Sequence, residues 1–411
     1  MASQSIGYVQ LLRENTPFRR LWYGQVVSQL GDWFDSIALY ALLPKLTGSE
    51  QSVGLLLLAQ FIPTAVVGPW AGVIVDRLPR KLTMIVTDIV RALLVLLLLL
   101  VRDASMVWLV YVVIALKFTL SAFFEPARSA MIPVITRREE LVAANAISGA
   151  TWSAMLALGA ALGGLVAGVF GTDVAFVIDA ASFLLSAVLI WGVRVRERHM
   201  DAAPVTGQLQ DFREGLRYLR ENRLILIYTV SKGLWNISGG LLVVLTLFGR
   251  TLFPLGVAGA LSIGLMYAAR GVGAGIGPLV ANRLGGNSTT FLRRMIGPSF
   301  LISALGYALM SGAPTLWLAA LAAIVAHIGG SIQWVFSSTL LQMEVPDRLQ
   351  GRIFAIELAL FTLATGISSY GVSVLADMGY SPRALALLMA ALFVPSGVWL
   401  WWRLYGKRED E

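Results

Sequence analysis

The stretch from Val53 to Val75 reads VGLLLLAQFIPTAVVGPWAGVIV, a run of 23 residues without a charged side chain. As an α-helix rising about 1.5 Å per residue it would be about 35 Å long, enough to cross the roughly 30 Å hydrocarbon core of a bilayer. The rest of the chain is similar, because 57% of its 411 residues are hydrophobic and only 14% are charged. An ordinary soluble domain has about 25% charged residues. The sequence therefore predicts a membrane protein.

Apolar stretches of similar length recur along the chain and predict an all-α membrane protein with twelve transmembrane helices. The longest polar interval, 194–223, separates six of these spans from the other six. We therefore expect an N-terminal six-helix bundle over residues 1–193, an amphipathic linker over 194–223 and a C-terminal six-helix bundle over 224–411. Short matches between the bundles, about 207 residues apart, indicate an internal repeat. The predicted spans are 20–44, 53–75, 82–101, 107–127, 142–170, 174–193, 224–248, 259–281, 295–312, 316–340, 353–377 and 383–402.

The basic residues are distributed unevenly over the predicted loops. Of the 32 Lys and Arg residues, 24 fall on one side of the membrane. Because cytoplasmic loops carry an excess of Lys and Arg, this side, with both termini and the linker, is predicted to be cytoplasmic. The net charge of +8 is spread over short loops, and no nucleic-acid partner is expected. The four basic residues on the other side are Lys45, Arg102, Arg250 and Arg383, and the four within spans are Arg91, Lys117, Lys232 and Arg270.

The loop after the second span reads Gly72-Val-Ile-Val-Asp76-Arg77-Leu-Pro-Arg80-Lys81. It resembles the signature loop between helices 2 and 3 of the major facilitator superfamily, whose pattern is Gly, three residues, Asp-Arg, two residues and two basic residues. In this sequence a proline stands where that family usually has a glycine. The resemblance implies a transporter fold of two six-helix bundles.

The residues of this loop are expected to latch the cytoplasmic side of the protein. Gly72 would allow two helices to approach closely, and the carboxylate of Asp76 would be favoured near a helix N-terminus of the opposite bundle. The resemblance makes Glu125 the expected partner of Arg80, with Asp88 as the competing partner. An ordinary basic loop is the alternative, and it would explain Arg77, Arg80 and Lys81 but not Gly72 and Asp76.

Four further stretches resemble the exporter group that includes enterobactin exporters and macrolide efflux proteins. This resemblance implies an exporter in a prokaryotic cytoplasmic (inner) membrane. Gly159, Gly163 and Gly164 on span 5 are similar to the Gly-Pro-x-x-Gly-Gly element of drug antiporters, with Ala160 in the place of the proline. They have either an export-specific role or a general role in helix packing. The four stretches are 123–133, 175–183, 212–219 and 346–352.

Acidic residues inside the predicted spans are the candidates for energy coupling. Asp32 and Asp35 lie near the middle of span 1, where a charge costs roughly 2.5 to 3.5 kcal/mol to insert. Each could carry a proton, pair structurally with Lys117, Lys232 or Arg270, or contact a cationic substrate. Glu357 in span 11 is a third proton-coupling candidate, or else a partner of the nearby Arg352.

Polar faces on spans 1 and 7 are the candidate walls of a substrate cavity. A helical repeat places Gln25, Ser28 and Gln29 on the same face as Asp32. His327 in span 10 is expected to be a packing or hydrogen-bonding residue. The candidates on span 7 are Tyr228, Ser231, Lys232, Trp235 and Asn236.

These features together predict a secondary active transporter, most consistent with a proton-coupled exporter of amphipathic or apolar small molecules such as drugs or siderophore-like compounds. An importer, a facilitator or a transporter of lipid-like substrates is the first alternative, and a non-transporting sensor or assembly factor is the second. No Walker A sequence is present, and the chain has two His and no Cys, so we expect neither an enzyme nor a metal site. The expected energy source is the proton gradient without a cofactor. The expected partners are a small molecule and the lipid bilayer, and the protein is expected to be a monomer.

Overall fold

The computed structural model describes residues 7–75, 77–195, 208–237, 240–285 and 288–405. Within these ranges the chain is helical, without a β-strand. The all-α fold that the sequence predicts is confirmed. The helices are α1 (Tyr8–Glu14), α2 (Thr16–Thr47), α3 (Gln51–Val75), α4 (Arg80–Leu97), α5 (Val107–Ile135), α6 (Leu141–Val169), α7 (Thr172–Trp191), α8 (Gln208–Glu221), α9 (Arg223–Ile237), α10 (Leu241–Leu247), α11 (Ala260–Gly285), α12 (Thr289–Gly312), α13 (Leu316–Glu344), α14 (Asp347–Asp377) and α15 (Pro382–Tyr405).

Eleven stretches of the described chain are long and apolar enough to cross a membrane. They correspond to the second to twelfth predicted spans. The stretch Arg223–Leu252, which corresponds to the seventh predicted span, contains both α9 and α10. Helix α2 corresponds to the first predicted span. Its 32 residues amount to about 48 Å of helix, but Asp32 and Asp35 lower its hydropathy.

Local sequence signals set the ends of α2. The side chain of Asn15 accepts a hydrogen bond from the backbone N–H of Phe18 at 2.9 Å, and Pro17 occupies the first turn. Both features favour the start of a helix. At the other end Gly48 has a φ of 70°, the left-handed conformation that commonly ends a helix at glycine.

The two ends of the helical bundle differ in the residues they contain. We call the end with Glu50, Arg250 and Asp377 the Glu50 end, and the opposite end, with Arg80 and Arg352, the Arg80 end. The distribution of basic residues predicts that the Arg80 end faces the cytoplasm. We call α1–α7 the N-terminal half and α9–α15 the C-terminal half. The division into domains at 194 and 223 stays a prediction.

The two halves pack through α6 against α11 and through α3 against α14. At the first contact a Cβ atom on Gly164 would lie 2.7 Å from the Cα atom of Gly264, so only small residues allow this approach. The rings of Tyr40 and Tyr267 stack across the same junction, with 5.4 Å between their centroids. The halves are therefore in close contact near the middle of the bundle.

Polar contacts join the two halves at the Glu50 end. Glu50 forms an ion pair with Arg250. The carboxylate of Asp377, at the end of α14, accepts hydrogen bonds from the backbone N–H of Glu50 at 2.7 Å and of Gln51 at 3.3 Å, and from the hydroxyl of Ser49. The start of α3 is thereby tied to the C-terminal half.

The hydrophobic cores show how the halves separate toward the Arg80 end. One core contains buried residues of both halves. A second core contains only residues of the N-terminal half, among them Phe18, Met84 and Phe124. Of the residues described, those that connect the halves thus lie from the Glu50 end to the middle of the bundle, and the N-terminal half has its own core at the Arg80 end.

Candidate functional site

Three carboxylates surround one lysine inside the N-terminal half. The Nζ atom of Lys117 on α5 lies 2.8 Å from Asp32 Oδ1, 2.7 Å from Asp35 Oδ2 and 3.1 Å from Asp179 Oδ2. The side chains of Lys117, Asp35 and Asp179 are at most 1% exposed, whereas that of Asp32 is 35% exposed. We call these four residues the carboxylate cluster.

Helix geometry explains how α2 and α7 supply these carboxylates. Asp32 and Asp35 are three residues apart on α2 and therefore lie on neighbouring positions of one face. Gly31 allows α7 to approach this face, since a Cβ atom there would lie 2.5 Å from Asp179 Oδ1. The Ser36 hydroxyl donates to the Asp32 carbonyl oxygen at 2.7 Å and lies 3.3 Å from Asp35 Oδ1.

The carboxylate cluster contains more acidic than basic groups. With every group ionised, its three carboxylates and one ammonium group sum to a charge of −2. The nearby guanidinium of Arg91 lies against the Phe183 ring at 4.4 Å and is already paired with Asp88. Burying unbalanced charge is unfavourable, so this arrangement is suited to binding protons.

The C-terminal half buries a lysine with a single carboxylate. Lys232 Nζ on α9 lies 2.9 Å from Glu357 Oε2 on α14, and both side chains are at most 5% exposed. Lys232 also donates to the Ser338 hydroxyl at 2.7 Å and lies 4.3 Å from the centre of the Trp334 ring. We call Lys232 and Glu357 the Lys232 pair, and its formal charge is zero.

The proton-coupling candidates thus fall into two separate sites. Asp32 and Asp35 lie together in the carboxylate cluster, where both contact Lys117. Among the described residues, the other two candidate cations, Lys232 and Arg270, contact neither of them. Glu357 lies in the other half with Lys232 rather than with Arg352, which pairs with Glu214 on α8 at 2.5 Å. Asp179 was not predicted as a site residue. Its signal was available, because it is an acidic residue within predicted span 6.

The three cavity candidates on α2 have different surroundings. Gln25 is buried, and its side chain donates to the Ser148 carbonyl oxygen at 3.1 Å and accepts from Arg128 at 3.0 Å. Ser28 is also buried and donates to the Gln25 carbonyl oxygen. Gln29 differs, because its buried Oε1 atom has no hydrogen-bond partner among the described residues. Of the three, Gln29 therefore has an acceptor available for a ligand.

The candidates on α9 lie inside the C-terminal half rather than on a cavity wall, so the prediction that they line a cavity is not supported. Each is buried, and its polar group has a partner on another helix of that half. A helical pattern shows that one face is polar but not which neighbour that face contacts. The contacts are Tyr228 to Glu344 at 3.5 Å, Ser231 to Gln333 at 2.8 Å, Trp235 to Ser303 at 3.2 Å, Asn236 to Thr365 at 2.9 Å and Lys232 to Glu357 at 2.9 Å.

The predicted latch loop is described in part, since Asp76 lies outside the described residues. Arg80 donates to a backbone carbonyl of α5 at 3.1 Å, and Lys81 donates to a backbone carbonyl just after α7 at 2.9 Å. Arg77 is exposed. Gly72 has open space where a Cβ atom would lie, so the close helix approach expected there is absent from this conformation.

Both carboxylates expected to pair with Arg80 have other partners. Glu125 pairs with Arg128 at 2.8 Å, and Asp88 pairs with Arg91. In each case the partner is three residues further along the same helix, where side chains are neighbours. No contact of Arg80 with Glu125 or Asp88 is seen among the described residues in this conformation, and the latch pairing stays a prediction.

The glycines of α6 lie at close helix approaches. A Cβ atom on Gly159 or Gly163 would lie 2.7 Å from an atom of Trp33 on α2, within the same half. Gly164 instead faces Gly264 on α11, across the junction of the halves. The motif thus packs α6 against helices of both halves.

The described helices form a bundle of candidate membrane spans in two halves, each of which contains buried charges. A family model described as Major Facilitator Superfamily matches residues 21–292. The chain belongs to this family.

The names of similar proteins agree with this family. The chain is 29% identical over 221 residues to YfiS of Bacillus subtilis (strain 168), which is named an uncharacterized MFS-type transporter. The matched region covers 53% of this chain and 52% of YfiS. The chain therefore spans about half the length of that relative. It is 24% identical over 387 residues to the "Putative bacilysin exporter BacE" of Bacillus amyloliquefaciens, covering 93% of this chain and 94% of BacE.

Two further likenesses concern an efflux protein and a solved structure. The chain is 28% identical over 222 residues to macrolide efflux protein A of Streptococcus pyogenes, covering 52% of this chain and 54% of that protein. A crystal structure of a bacterial homolog of the human lysosomal transporter Spinster superposes with a TM-score of 0.74 at 14% identity, covering 94% of this chain and 96% of that one. The chain is thus a multi-pass membrane protein of this family with efflux-type relatives.

Proposed function

We propose that this protein is a secondary active exporter that exchanges protons for amphipathic or apolar small molecules by alternating access. The observation that carries the proposal is the carboxylate cluster. Its excess of acidic groups over basic groups inside a membrane-spanning bundle suits it to load and release protons. Asp32 is the group through which protons enter and leave, because its side chain is the exposed member of the cluster.

A contact path links the proton site to the junction of the halves. Trp33, the neighbour of Asp32, packs against the glycines of α6 and lies 5.9 Å from the Tyr267 ring on α11. When Asp32 takes up a proton, its attraction to Lys117 weakens, and the α2 side chains that contact both halves can shift. Proton binding at the cluster would in this way bias the packing of α2 and α6 against α11.

Alternating access requires the contacts at the Glu50 end to open and close. The Glu50–Arg250 ion pair and the hydrogen bonds of Asp377 hold this end together. If the Glu50 end is extracellular, as the basic residues predict, this conformation is closed to the outside and receives substrate from the cytoplasm. That is the state an exporter needs for loading.

Export rather than import is supported by the efflux-type relatives, whose names refer to bacilysin and macrolides. The proton gradient is the proposed energy source, without a cofactor. We place the protein as a monomer in a prokaryotic inner membrane, with both termini in the cytoplasm and without a nucleic-acid partner.

The test is transport by the purified protein in proteoliposomes under an inward-directed, an outward-directed and no pH gradient, with a panel of amphipathic compounds. Wild-type accumulation should depend on the gradient. Asp32→Asn should reduce gradient-driven accumulation at least about tenfold. Exchange of substrate in the absence of a gradient should continue, because an amide resembles the protonated acid but releases no proton.

The matched control is Asp173→Asn, which changes the same charge at the exposed start of α7, where Asp173 pairs with Arg102. This variant should transport like the wild type. Accumulation that is unaffected by either gradient would remove proton exchange from the proposal. Accumulation of substrate in the same direction as the proton flow, instead of against it, would make the protein an importer.

A further inference from the structure

Arg270 differs from the other basic residues inside the spans. It lies on α11 near the middle of the candidate span Val257–Gly277. Arg91 pairs with Asp88, and Lys117 and Lys232 each contact at least one carboxylate. Among the residues that the structure describes, three phenol groups and the His327 imidazole, but no carboxylate, interact electrostatically with the Arg270 guanidinium, and none forms a hydrogen bond with it.

The surroundings of Arg270 contain polar groups with unused hydrogen-bonding capacity. Tyr40, Tyr267, Tyr307 and His327 all interact electrostatically with it. The Tyr307 hydroxyl and the His327 Nε2 atom are buried, without a partner among the described residues. Buried polar groups are normally hydrogen-bonded. His327 Nε2 is an acceptor, because Nδ1 donates to the Ala323 carbonyl oxygen, whereas the Tyr307 hydroxyl can donate. An orphaned donor beside a cation without a carboxylate therefore indicates that a ligand completes this site.

The position of Arg270 suits a site for the transported molecule. Its neighbour Gly271 packs against Ala157 of α6, so Arg270 lies at the junction of the two halves. Its side chain is partly exposed, unlike the buried Arg91 and Lys117. A molecule held there would contact the surface along which the halves move during transport.

We propose that Arg270 binds an anionic group, of the carboxylate type, on the transported molecule. A guanidinium presents a planar set of N–H donors that matches the two oxygens of a carboxylate, and charge-assisted bonds of this kind are among the strong hydrogen bonds. The Tyr307 hydroxyl supplies a further donor. The acids of the carboxylate cluster and the Lys232 pair already contact their own lysines, so the counter-ion comes from the ligand. This inference rests on the proposed transport function and narrows its substrate class.

The first test is chemical modification of arginine in the purified full-length protein by phenylglyoxal, with modified peptides quantified by mass spectrometry. Arg270 should react at least about tenfold faster than Arg91, the buried and paired reference. Phenylacetate should slow the reaction at Arg270, and its neutral analogue phenylacetamide should not. Labelling of Arg270 that is as slow as that of Arg91 would overturn the proposal. Equal protection of Arg270 by the two compounds, or protection by neither, would also overturn it.

The second test measures binding of phenylacetate by thermal stabilisation and tryptophan fluorescence. Arg270→Gln should weaken binding at least about tenfold, because the charge and the bidentate donors are both lost. Arg270→Lys should retain part of it, and Arg294→Gln, which changes an exposed arginine on α12, should bind like the wild type. Monodisperse elution of each variant shows that it is folded. Unchanged binding in Arg270→Gln would overturn the assignment.

The anion site and proton exchange can fail independently. If Arg270 binds the anion but transport does not depend on the pH gradient, proton exchange is disproved and the assignment of the anion site stands. If gradient-driven accumulation is equal for carboxylic acids and their neutral amides, the assignment of the anion site is disproved and proton exchange stands.

Discussion

The carboxylate cluster and the Lys232 pair are both buried lysine sites, but they differ in charge balance. Lys117 contacts three carboxylates, and one of them, Asp32, is 35% exposed. Lys232 contacts one carboxylate, and both side chains of the pair are at most 5% exposed. The comparison shows that a buried charge in a span is not sufficient evidence for proton transfer. An excess of acid and one partly exposed carboxylate are the features that distinguish the cluster.

The largest effect is expected from Lys117→Met, which leaves three neighbouring carboxylates without a cation. The variant should lose about 5 kcal/mol of stability at pH 8, the upper end for breaking a buried ion pair. The loss should be smaller at pH 5, because the carboxylates can then take up protons. Thermal unfolding of the purified protein at both pH values measures this. A loss below about 1 kcal/mol, or one that is greater at pH 5, would contradict the charge assignment of the cluster.

A smaller but still large effect is expected from Glu357→Gln, because Lys232 then loses its carboxylate but keeps the contacts with Ser338 and Trp334. Stability should fall by about 3 kcal/mol. The double variant Lys232→Met with Glu357→Leu should recover most of this loss, since no buried charge remains. If the double variant is no more stable than Glu357→Gln alone, the Lys232 pair does not act as an isolated ion pair.

Asp32→Asn should cost less than about 1 kcal/mol of stability, because Lys117 keeps Asp35 and Asp179 and an exposed charge contributes little. Its effect should fall on gradient-driven transport, as described above. A loss of stability equal to that of Glu357→Gln would remove the difference between the two sites, since Asp32 would then be a structural partner. Unfolding and transport are to be measured on the same preparation.

The smallest effect is expected for the Glu125–Arg128 ion pair, where Glu125 is 49% exposed. A double-mutant cycle of Glu125→Gln and Arg128→Gln should give a coupling of about 0.5 kcal/mol. Arg80→Ala and Glu125→Ala should be additive in stability in this conformation, because the two side chains have other partners. Coupling between Arg80 and Glu125 above about 1 kcal/mol would restore the latch pairing that the sequence suggested.

Much of the candidate site was accessible from the sequence, but its partners were not. Asp32 and Asp35 are conspicuous as acids within an apolar span, and Asp179 carries the same signal. The sequence offered three cations for these acids and could not choose among them. The polar residues of α9 were expected to line a cavity, whereas this conformation places them inside the C-terminal half, since the direction of a polar face depends on the neighbouring helices. The partner of Glu125 is three residues away, so its spacing could have indicated Arg128.

The sequence by itself determined the spans, the all-α fold and the family. Hydropathy and helix length are local properties that each span carries alone, and the motif of the second loop is likewise contiguous. Only the tertiary structure decided which buried charges meet, at which end of the bundle the halves are joined, and that Arg270 has phenol groups and His327, but no carboxylate, near it among the described residues. Lys117 meets its carboxylates across separations of 82 and 62 residues. Such pairings depend on how each helix is rotated and packed against its neighbours, which no local pattern specifies.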